Sequence, residues 1–285
     1  MYTTLISPEQ LMALRQKDKP LMVFDCSYEL MKPSEGDEQY LKTHIAGARR
    51  ADLSRHLSAQ KGASAASGGR HPLPTREHFS AWLGELGFTS DMQAVVYDRQ
   101  NSSHCCRLWW MLKWVGHEAV AVLDGGLPTW LAAGGDVESG TPLPSEPTDF
   151  KFSPACARLV VTQQVEQQLG RPSQTLVDAR ANPRFRGEVE PLDPVAGHIP
   201  GSLNRPFNLN LTSEGKFKAP EQLKAEFSEL LAGRDPASVV HSCGSGVSAI
   251  PNLLAMELAG LGRASLYAGS WSEWCSDPAR PVAKG

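Results

Sequence analysis

Val23-Phe24-Asp25-Cys26-Ser27, near the start of the chain, has a counterpart in Leu176-Val177-Asp178-Ala179-Arg180, in the second half. In both places an apolar stretch that is typical of a buried strand runs into an aspartate. About 20 residues later both halves carry a His-Ile-x-Gly segment, as His44-Ile45-Ala46-Gly47-Ala48 and as His198-Ile199-Pro200-Gly201-Ser202. Segments that recur in the same order and at similar spacing indicate an internal repeat.

Two more pairs of segments extend the repeat. Ala94-Val95-Val96-Tyr97-Asp98 matches Ser238-Val239-Val240-His241-Ser242. Further on, Gly125-Gly126-Leu127-Pro128-Thr129-Trp130 matches Gly269-Ser270-Trp271-Ser272-Glu273-Trp274. Because all these pairs keep their order in both halves, the sequence predicts a duplicated domain.

The boundary between the two copies is expected in the stretch 139–149, which holds three prolines together with glycine, serine and threonine. Such a composition is typical of a connecting segment. We therefore expect an N-terminal domain at 1–138 and a C-terminal domain at 150–285. Short apolar strands alternate with helical stretches in each half, which predicts an α/β fold in which each domain is a mostly parallel sheet flanked by helices.

Capping signals locate several helix starts. Ser7-Pro8-Glu9-Gln10 offers a capping serine, a proline in the first turn and a capping-box glutamine. Thr162 is expected to cap a helix that begins at Gln163, and Ala219-Pro220-Glu221 is expected to open another.

Composition limits the classes of function. The chain has 28 Lys and Arg against 31 Asp and Glu, a net charge of -3, whereas a nucleic-acid-binding protein normally carries a basic excess. The sequence holds no apolar run of the ~18 residues that a membrane span needs, and its start lacks the pattern of a secretory or transit peptide. We therefore expect a cytoplasmic protein that binds neither nucleic acid nor membrane.

The six cysteines do not form a Cys-x-x-Cys pair. Neither a structural zinc site nor a thioredoxin-type motif is therefore expected, and without an export signal the thiols should be reduced. A cysteine that matters here should matter through its reactivity.

The most informative cysteine is Cys243, which follows the apolar stretch Val239-Val240-His241-Ser242 and precedes Gly244-Ser245-Gly246-Val247-Ser248-Ala249. Two glycines so close together let the backbone N–H groups point inward as an anion nest, and the start of a following helix adds partial positive charge. Such a loop would stabilise a thiolate. A buried structural cysteine in a tight turn would also fit, but the counterpart in the first half, Arg99, has neither a thiol nor a glycine-rich loop.

These segments together resemble the tandem-domain rhodanese-type sulfurtransferases over essentially the whole chain. In that family the C-terminal domain carries the cysteine and the N-terminal domain is a catalytically silent copy. The loop Cys243-Gly244-Ser245-Gly246-Val247 looks like the 3-mercaptopyruvate branch. The thiosulfate-preferring branch usually carries basic residues just after the cysteine, where this chain has Gly244 and Ser245.

The resemblance implies that a sulfane sulfur passes from 3-mercaptopyruvate or thiosulfate, through a persulfide of Cys243, to cyanide or a thiol acceptor such as thioredoxin. The backbone amides of Gly244, Ser245, Gly246, Val247 and Ser248 would hold the persulfide, and no metal or organic cofactor is required. The alternatives are a thiosulfate:cyanide sulfurtransferase and a non-catalytic rhodanese module that binds or regulates.

A phosphatase of the Cys-x5-Arg type, which shares this fold, is disfavoured. Its arginine clamps phosphate from the position six residues after the cysteine, and that position is Ala249 here.

The resemblance also implies a proton relay beside the cysteine. Ser245 and His71, in Arg70-His71-Pro72, match a serine and a histidine proposed to act together in the mercaptopyruvate branch. The aspartate expected with them is Ser54 in this chain, with Asp52 two residues earlier, so the relay is incomplete in sequence.

The donor carboxylate would be held by arginine. Two arginines nine residues apart do this in the mercaptopyruvate branch; Arg184 matches the first, but the second position is Asp193, which is expected to repel a carboxylate. Arg186 is a further candidate for binding the donor, and Arg205 is the alternative to it. A mixed preference for mercaptopyruvate and thiosulfate is therefore expected.

Overall fold

The structure, a computed structural model, describes residues 1–17 and 19–285. It divides into two compact units. The first comprises Met1–Ser64, Pro74–Ala157 and Ser213–Lys216, and the second comprises Ala65–Leu73, Arg158–Thr212 and Phe217–Gly285. A short segment of each half of the chain is thus packed into the opposite unit.

The first unit contains a sheet with the strand order β1-β6-β5-β2-β4, in which every neighbouring pair is parallel. Its elements are β1 (Leu5–Ile6), α1 (Pro8–Arg15), β2 (Leu21–Asp25), α2 (Glu35–Lys42), β3 (His44–Ile45), β4 (Arg49–Arg50), α3 (Arg76–Glu85), β5 (Gln93–Tyr97), α4 (Ser103–Trp114), β6 (Val120–Leu123), α5 (Gly126–Ala132) and β7 (Val137–Glu138). Strands β3 and β7 form a separate antiparallel pair.

The second unit contains a parallel sheet with the order β8-β12-β11-β9-β10, which repeats the order of the first sheet. Its elements are β8 (Arg158–Val160), α6 (Thr162–Gln167), β9 (Thr175–Asp178), α7 (Asn182–Phe185), β10 (Leu203–Asn204), a 3-10 turn (Phe207–Asn210), α8 (Pro220–Leu231), a second 3-10 turn (Pro236–Ser238), β11 (Val239–Ser242), α9 (Ile250–Leu258), β12 (Ser265–Tyr267) and α10 (Ser270–Trp274). The predicted α/β fold with two tandem, mostly parallel sheets is confirmed.

The recurring sequence segments have matching structural roles. The Nδ1 atoms of His44 and His198 lie 2.8 Å from the carbonyl oxygens of Tyr40 and Phe185, and each imidazole stacks on that same aromatic ring. The two histidines therefore hold a loop in place in each copy.

Two of the predicted helix starts are confirmed and one is wrong. Ser7 caps α1 through a full capping box, and α8 begins at Pro220. Thr162 is the first residue of α6 and not its cap, which is Val161. The Thr162 hydroxyl lies instead 2.8 Å from the hydroxyl of Tyr267, a tertiary contact that local capping signals do not contain.

The division at 1–138, 139–149 and 150–285 stays a prediction about the repeat itself. In space, residues 139–149 belong to the first unit and have no helix or strand. The segment 65–73, which lies within the predicted N-terminal domain, belongs to the second unit.

Within the described residues, no helix combines the length and the apolar composition needed to cross a membrane. All six cysteines are free thiols. Five of them are buried, and Cys156 is partly exposed.

We expect His241, on β11, to make the second unit sensitive to acid. Burial, with the charge of Arg205, lowers the pKa of His241 to about 3. Because an unfolded histidine takes up a proton near pH ~6.5, stability is fully present above that pH and is lost as the pH falls from 6.5 towards 3, by about 1.4 kcal/mol per pH unit. His241→Leu should reduce the drop in unfolding free energy between pH 7 and pH 5 by about 2 kcal/mol, measured by urea titration.

The control is His78→Gln, at an exposed position of α3. It should leave the pH dependence of unfolding as in the unchanged protein. An equal drop in the protein with and without His241 would contradict the prediction.

Candidate active site

Cys243 lies directly after β11, the central strand of the second sheet, between β9 and β12. In parallel α/β sheets this edge, formed by the carboxyl ends of the strands, is where ligands bind. The Cys243 side chain is buried, and the loop that follows leads into α9.

Backbone hydrogen bonds fasten this loop to the start of α10. The N–H groups of Trp271 and Ser272 donate to the carbonyl oxygens of Cys243 and Gly244, at 3.0 and 2.9 Å. The Cys243 N–H donates to the hydroxyl oxygen of Ser270 at 3.0 Å. The cysteine backbone is therefore held on both its donor and its acceptor side.

Ser270 has the left-handed backbone conformation, with φ 54°, which is uncommon for a residue other than glycine. Its hydroxyl donates to the carbonyl oxygen of Tyr267 at 2.9 Å and lies 4.0 Å from Sγ of Cys243. Sequence reasoning missed this residue, although its counterpart by repeat, Gly126, marks the position as one that requires a positive φ.

Four N–H groups of the loop donate to no protein acceptor in the described part of the chain. They belong to Gly244, Ser245, Val247 and Ser248. The following helix contributes the partial positive charge of its N-terminus. The loop after Cys243 is therefore suited to hold an anionic sulfur.

Gly246 gives the loop its sharp turn. Its φ is +70°, and a Cβ at this position would lie 2.2 Å from the carbonyl oxygen of Ala268. No other residue type fits there without moving the loop.

Ser245 and His71 are brought together as expected from the resemblance. Oγ of Ser245 lies 2.8 Å from Nδ1 of His71, and both side chains are buried. His71 lies in the segment 65–73, which packs within the second unit.

Asp52 and Ser54 belong to the first unit. The Asp52 carboxylate accepts the N–H groups of Ser54 and Arg55 and pairs with Arg50 at 3.1 Å. The Ser54 hydroxyl lies 2.7 Å from that of Tyr28.

Arg184 is anchored by carboxylates. Its Nη2 lies 2.6 Å from Glu190 and 3.3 Å from Asp193. Burial on its own would raise the pKa of Glu190, but hydrogen bonds from Arg184 and from the amides of Leu192 and Asp193, with the charge of Arg184, lower it below its usual value. Burial raises the pKa of Asp193, against the opposing effect of Arg70 and Arg184.

Arg70 is a second guanidinium that sequence reasoning missed. Its Nη1 lies 2.5 Å from the Asp193 carboxylate. A Cβ at Gly244 would lie 3.1 Å from Nη2 of Arg70 and 3.5 Å from Nη1 of Arg184, so both guanidiniums flank the residue after the cysteine. Asp193 therefore pairs with two arginines, and the expectation that it repels an anionic donor stays a prediction.

Arg186 and Arg205 have other partners. Arg186 is exposed and forms an ion pair with Glu188. Arg205 is buried, pairs with Glu226 at 2.8 Å and lies over the ring of Phe227. The structure gives neither of them a contact with the loop after Cys243.

The register of the sheets corrects the counterpart of the cysteine in the first unit. Asp25 pairs with Tyr97, and Asp178 pairs with Ser242. The residue after Tyr97 is Asp98, and the residue after Ser242 is Cys243. Asp98, and not Arg99, is therefore the counterpart of Cys243. Matching the identical Val-Val pairs of the two segments shifted the alignment by one residue.

Asp98 fills its own nest. Its carboxylate accepts the backbone N–H groups of Gln100, Ser102, His104 and Cys105, at 3.1 to 3.2 Å. The first copy therefore has a carboxylate where the second has the Cys243 thiol, and these four amides are already bonded within the chain.

The Rhodanese-like domain family matches residues 7–133 and 161–277. The chain belongs to this family. Its two matches coincide with the two copies of the repeat, and the cysteine loop lies in the second.

The chain is similar to named rhodanese-family enzymes over nearly its whole length. It is 47% identical over 284 residues to a probable 3-mercaptopyruvate sulfurtransferase of Pseudomonas aeruginosa, covering 99% of this chain and 98% of that protein. It is 36% identical over 261 residues to a thiosulfate sulfurtransferase of Cricetulus griseus, covering 89% of this chain and 84% of that protein.

Among solved structures, the 3-mercaptopyruvate sulfurtransferase of Leishmania major matches with a TM-score of 0.81 and 32% identity. The match covers 96% of this chain and 74% of that one.

We expect Gly246→Ala to lower the unfolding free energy of the second unit more than an ordinary glycine substitution does. The left-handed conformation costs an alanine about 1–2 kcal/mol, and the approach to Ala268 adds a clash. Urea unfolding followed by tryptophan fluorescence should show a larger loss of unfolding free energy for Gly246→Ala than for Gly201→Ala. Gly201 is the matched control because its φ is +78° and nothing lies within 4 Å of a Cβ there. Equal losses for the two variants would show that the loop tolerates a side chain.

Proposed function

We propose that this rhodanese-family protein is a sulfurtransferase that carries sulfur as a persulfide on Cys243. The observation that supports this most is the loop itself: a cysteine at the carboxyl end of the central strand is followed by four N–H groups without protein acceptors in the described chain. Sulfur-donor and sulfur-acceptor substrates follow from this function.

In the first half-reaction the Cys243 thiolate attacks the sulfur of the donor. With 3-mercaptopyruvate an S–S bond forms, the C–S bond of the donor breaks, and its electron pair leaves with the carbon as the enolate of pyruvate. The proton of the donor thiol ends on that carbon, so the products are the Cys243 persulfide anion and pyruvate. With thiosulfate the S–S bond of the donor breaks and sulfite leaves without a proton.

In the second half-reaction a nucleophile attacks the outer sulfur of the persulfide, and the Cys243 thiolate is restored. Cyanide would leave as thiocyanate, and a thiol acceptor, of which thioredoxin is the macromolecular example, would leave as its persulfide. The amides of Gly244, Ser245, Val247 and Ser248 stabilise the anionic outer sulfur between the two steps.

Ser245 and His71 are assigned the transfer of the donor's proton. Their side chains share a hydrogen bond of 2.8 Å, which lets a proton pass through the serine hydroxyl from the donor thiol to the leaving enolate. The mercaptopyruvate reaction needs this transfer and the thiosulfate reaction does not.

Arg184 is assigned to the anionic end of the donor, beside Gly244. Arg186, which is exposed and paired with Glu188, is assigned no donor contact. The positive charge next to the loop suits thiosulfate as well as mercaptopyruvate, so a thiosulfate:cyanide sulfurtransferase remains the second candidate. A non-catalytic rhodanese module would not be loaded with sulfur by either donor.

Cys243→Ser should abolish sulfur loading and turnover with both donors, because an alcohol cannot form a persulfide. The measurement is mass spectrometry of the intact protein after incubation with donor, which should show the added mass of one sulfur atom only when Cys243 is present. Cys275→Ser is the matched control, since Cys275 is also buried in the second unit. Loading in the absence of Cys243, or its loss in a well-folded Cys275 variant, would overturn the assignment.

Ser245→Ala should slow persulfide formation from mercaptopyruvate by about 100-fold, a typical value for one proton-transfer group. Persulfide formation from thiosulfate should change by less than about threefold, because sulfite leaves without a proton. The rates are measured in single-turnover experiments with each donor. Equal slowing with both donors would show that Ser245 shapes the loop and does not move a proton.

A further inference from the structure

Arg70 stands at the end of a row of charges of alternating sign in the second unit. Neighbouring members of the row are 2.5 to 3.4 Å apart. The members, in order, are Asp178, Arg180, Glu190, Arg184, Asp193 and Arg70. Each inner arginine of the row lies between two carboxylates, whereas Arg70 pairs with one.

The other nitrogens of Arg70 form no hydrogen bond with that carboxylate among the described residues. Its Nε is buried and has no hydrogen-bond partner among the described residues. Its Nη2 lies 3.1 Å from the position of a Cβ on Gly244. Nη1 of Arg184 lies 3.5 Å from the same position. Donor groups of two guanidiniums therefore converge beside the residue that follows the cysteine.

Asp193 makes this convergence possible. Two guanidiniums held side by side repel each other, at close range by several kcal/mol where water is scarce. One oxygen of the Asp193 carboxylate pairs with Arg70, and the other pairs with Arg184. The carboxylate is buried and uses the Nη1 of Arg70 and the Nη2 of Arg184, so the nitrogens beside Gly244 are left for another anion.

We propose that Arg70 is the second guanidinium of the donor site, and that Asp193 is a positioning residue that bridges Arg70 and Arg184 beside the cysteine loop. The proposal rests on the proposed sulfurtransferase function. The group bound is the oxyanion end of an anionic sulfur donor, the chemistry that a carboxylate and a thiosulfate sulfonate share. The loop itself carries no basic residue after Cys243, and Arg70 and Arg184 supply the positive charge from other segments.

The first test compares Arg70→Ala and Arg184→Ala in single-turnover persulfide formation, with mercaptopyruvate and thiosulfate in separate series. Each variant should raise the donor concentration for half-maximal rate by about 10- to 100-fold, as expected for one lost charge-assisted contact. The maximal rate should change by less than about threefold, and so should discharge of a preformed persulfide by dithiothreitol. Arg70→Lys, which keeps the charge without the planar fork, should recover part of the effect.

Arg171→Ala is the control, because Arg171 is an exposed arginine of the same unit. It should behave as the unchanged protein. A rise confined to one donor would support the proposal and would identify which oxyanion the pair binds. A rise for Arg184→Ala with no rise for Arg70→Ala, with either donor, would overturn it.

The second test exchanges the charges. Asp193→Arg alone places three guanidiniums together, and it should weaken donor binding at least as much as Arg70→Ala. The exchange of both residues, Arg70→Asp with Asp193→Arg, restores one carboxylate among two guanidiniums and should bring the half-maximal concentration back to within about fivefold of the unchanged protein. Improved donor binding by Asp193→Arg alone would show that Asp193 opposes the donor and does not position the arginines.

The two proposals fail in distinguishable ways. If the unchanged protein forms no persulfide with either donor, the sulfurtransferase function fails and the assignment of Arg70 fails with it. If the unchanged protein forms the persulfide and the Arg70 variants bind both donors normally, the assignment of Arg70 alone fails.

Discussion

The hydrogen bonds that the amides of Trp271 and Ser272 donate to the carbonyls of Cys243 and Gly244 are the constraint on which the site depends. They occupy the carbonyl oxygens of Cys243 and Gly244, while the N–H groups of Gly244, Ser245, Val247 and Ser248 have no protein acceptor in the described chain. Gly246 completes the turn because only glycine accepts its φ of +70° so close to Ala268. Ser270 has a strained backbone, with φ 54°, and its hydroxyl oxygen accepts a hydrogen bond from the Cys243 N–H. Backbone groups of the loop and the hydroxyl of Ser270 together therefore fix Cys243 at the end of its strand.

Side-chain electrostatics is the second layer. Three carboxylates and three guanidiniums alternate from Asp178 to Arg70, and burying any one of them unpaired would cost several kcal/mol. The row is consequently a single unit: Glu190 fixes Arg184, and Asp193 joins Arg184 to Arg70. The sequence predicts that Asp193 repels an anionic donor, but within this row its carboxylate pairs with both Arg184 and Arg70.

The fold could be predicted from the sequence, and Cys243 could be proposed as the reactive residue, because both inferences rest on local signals. Apolar strands ending in aspartate, the His-Ile-x-Gly segments and the glycine-rich loop each lie within about ten residues, and their repetition determines the shared strand order of the sheets. Arg70 could not be found in this way, since Asp193 lies 123 positions away. Residues 65–73 belong to the second unit, and no repeating pattern in the sequence predicts this. His71 was located through resemblance alone.

The same hydrogen bonds distinguish the two copies of the repeat. At the position of Cys243 the first unit has Asp98, and the loop after it donates four amide hydrogens to that carboxylate. The first unit therefore has a similar ring of amides, and the anion that they bind is the chain's own Asp98 carboxylate. Leu127 donates to the Asp98 carbonyl as Trp271 does to that of Cys243, so the backbone frame is common to both units. What differs is the atom in the nest. A carboxylate satisfies the amides permanently, whereas a cysteine sulfur can gain and lose a second sulfur while the amides stay in place.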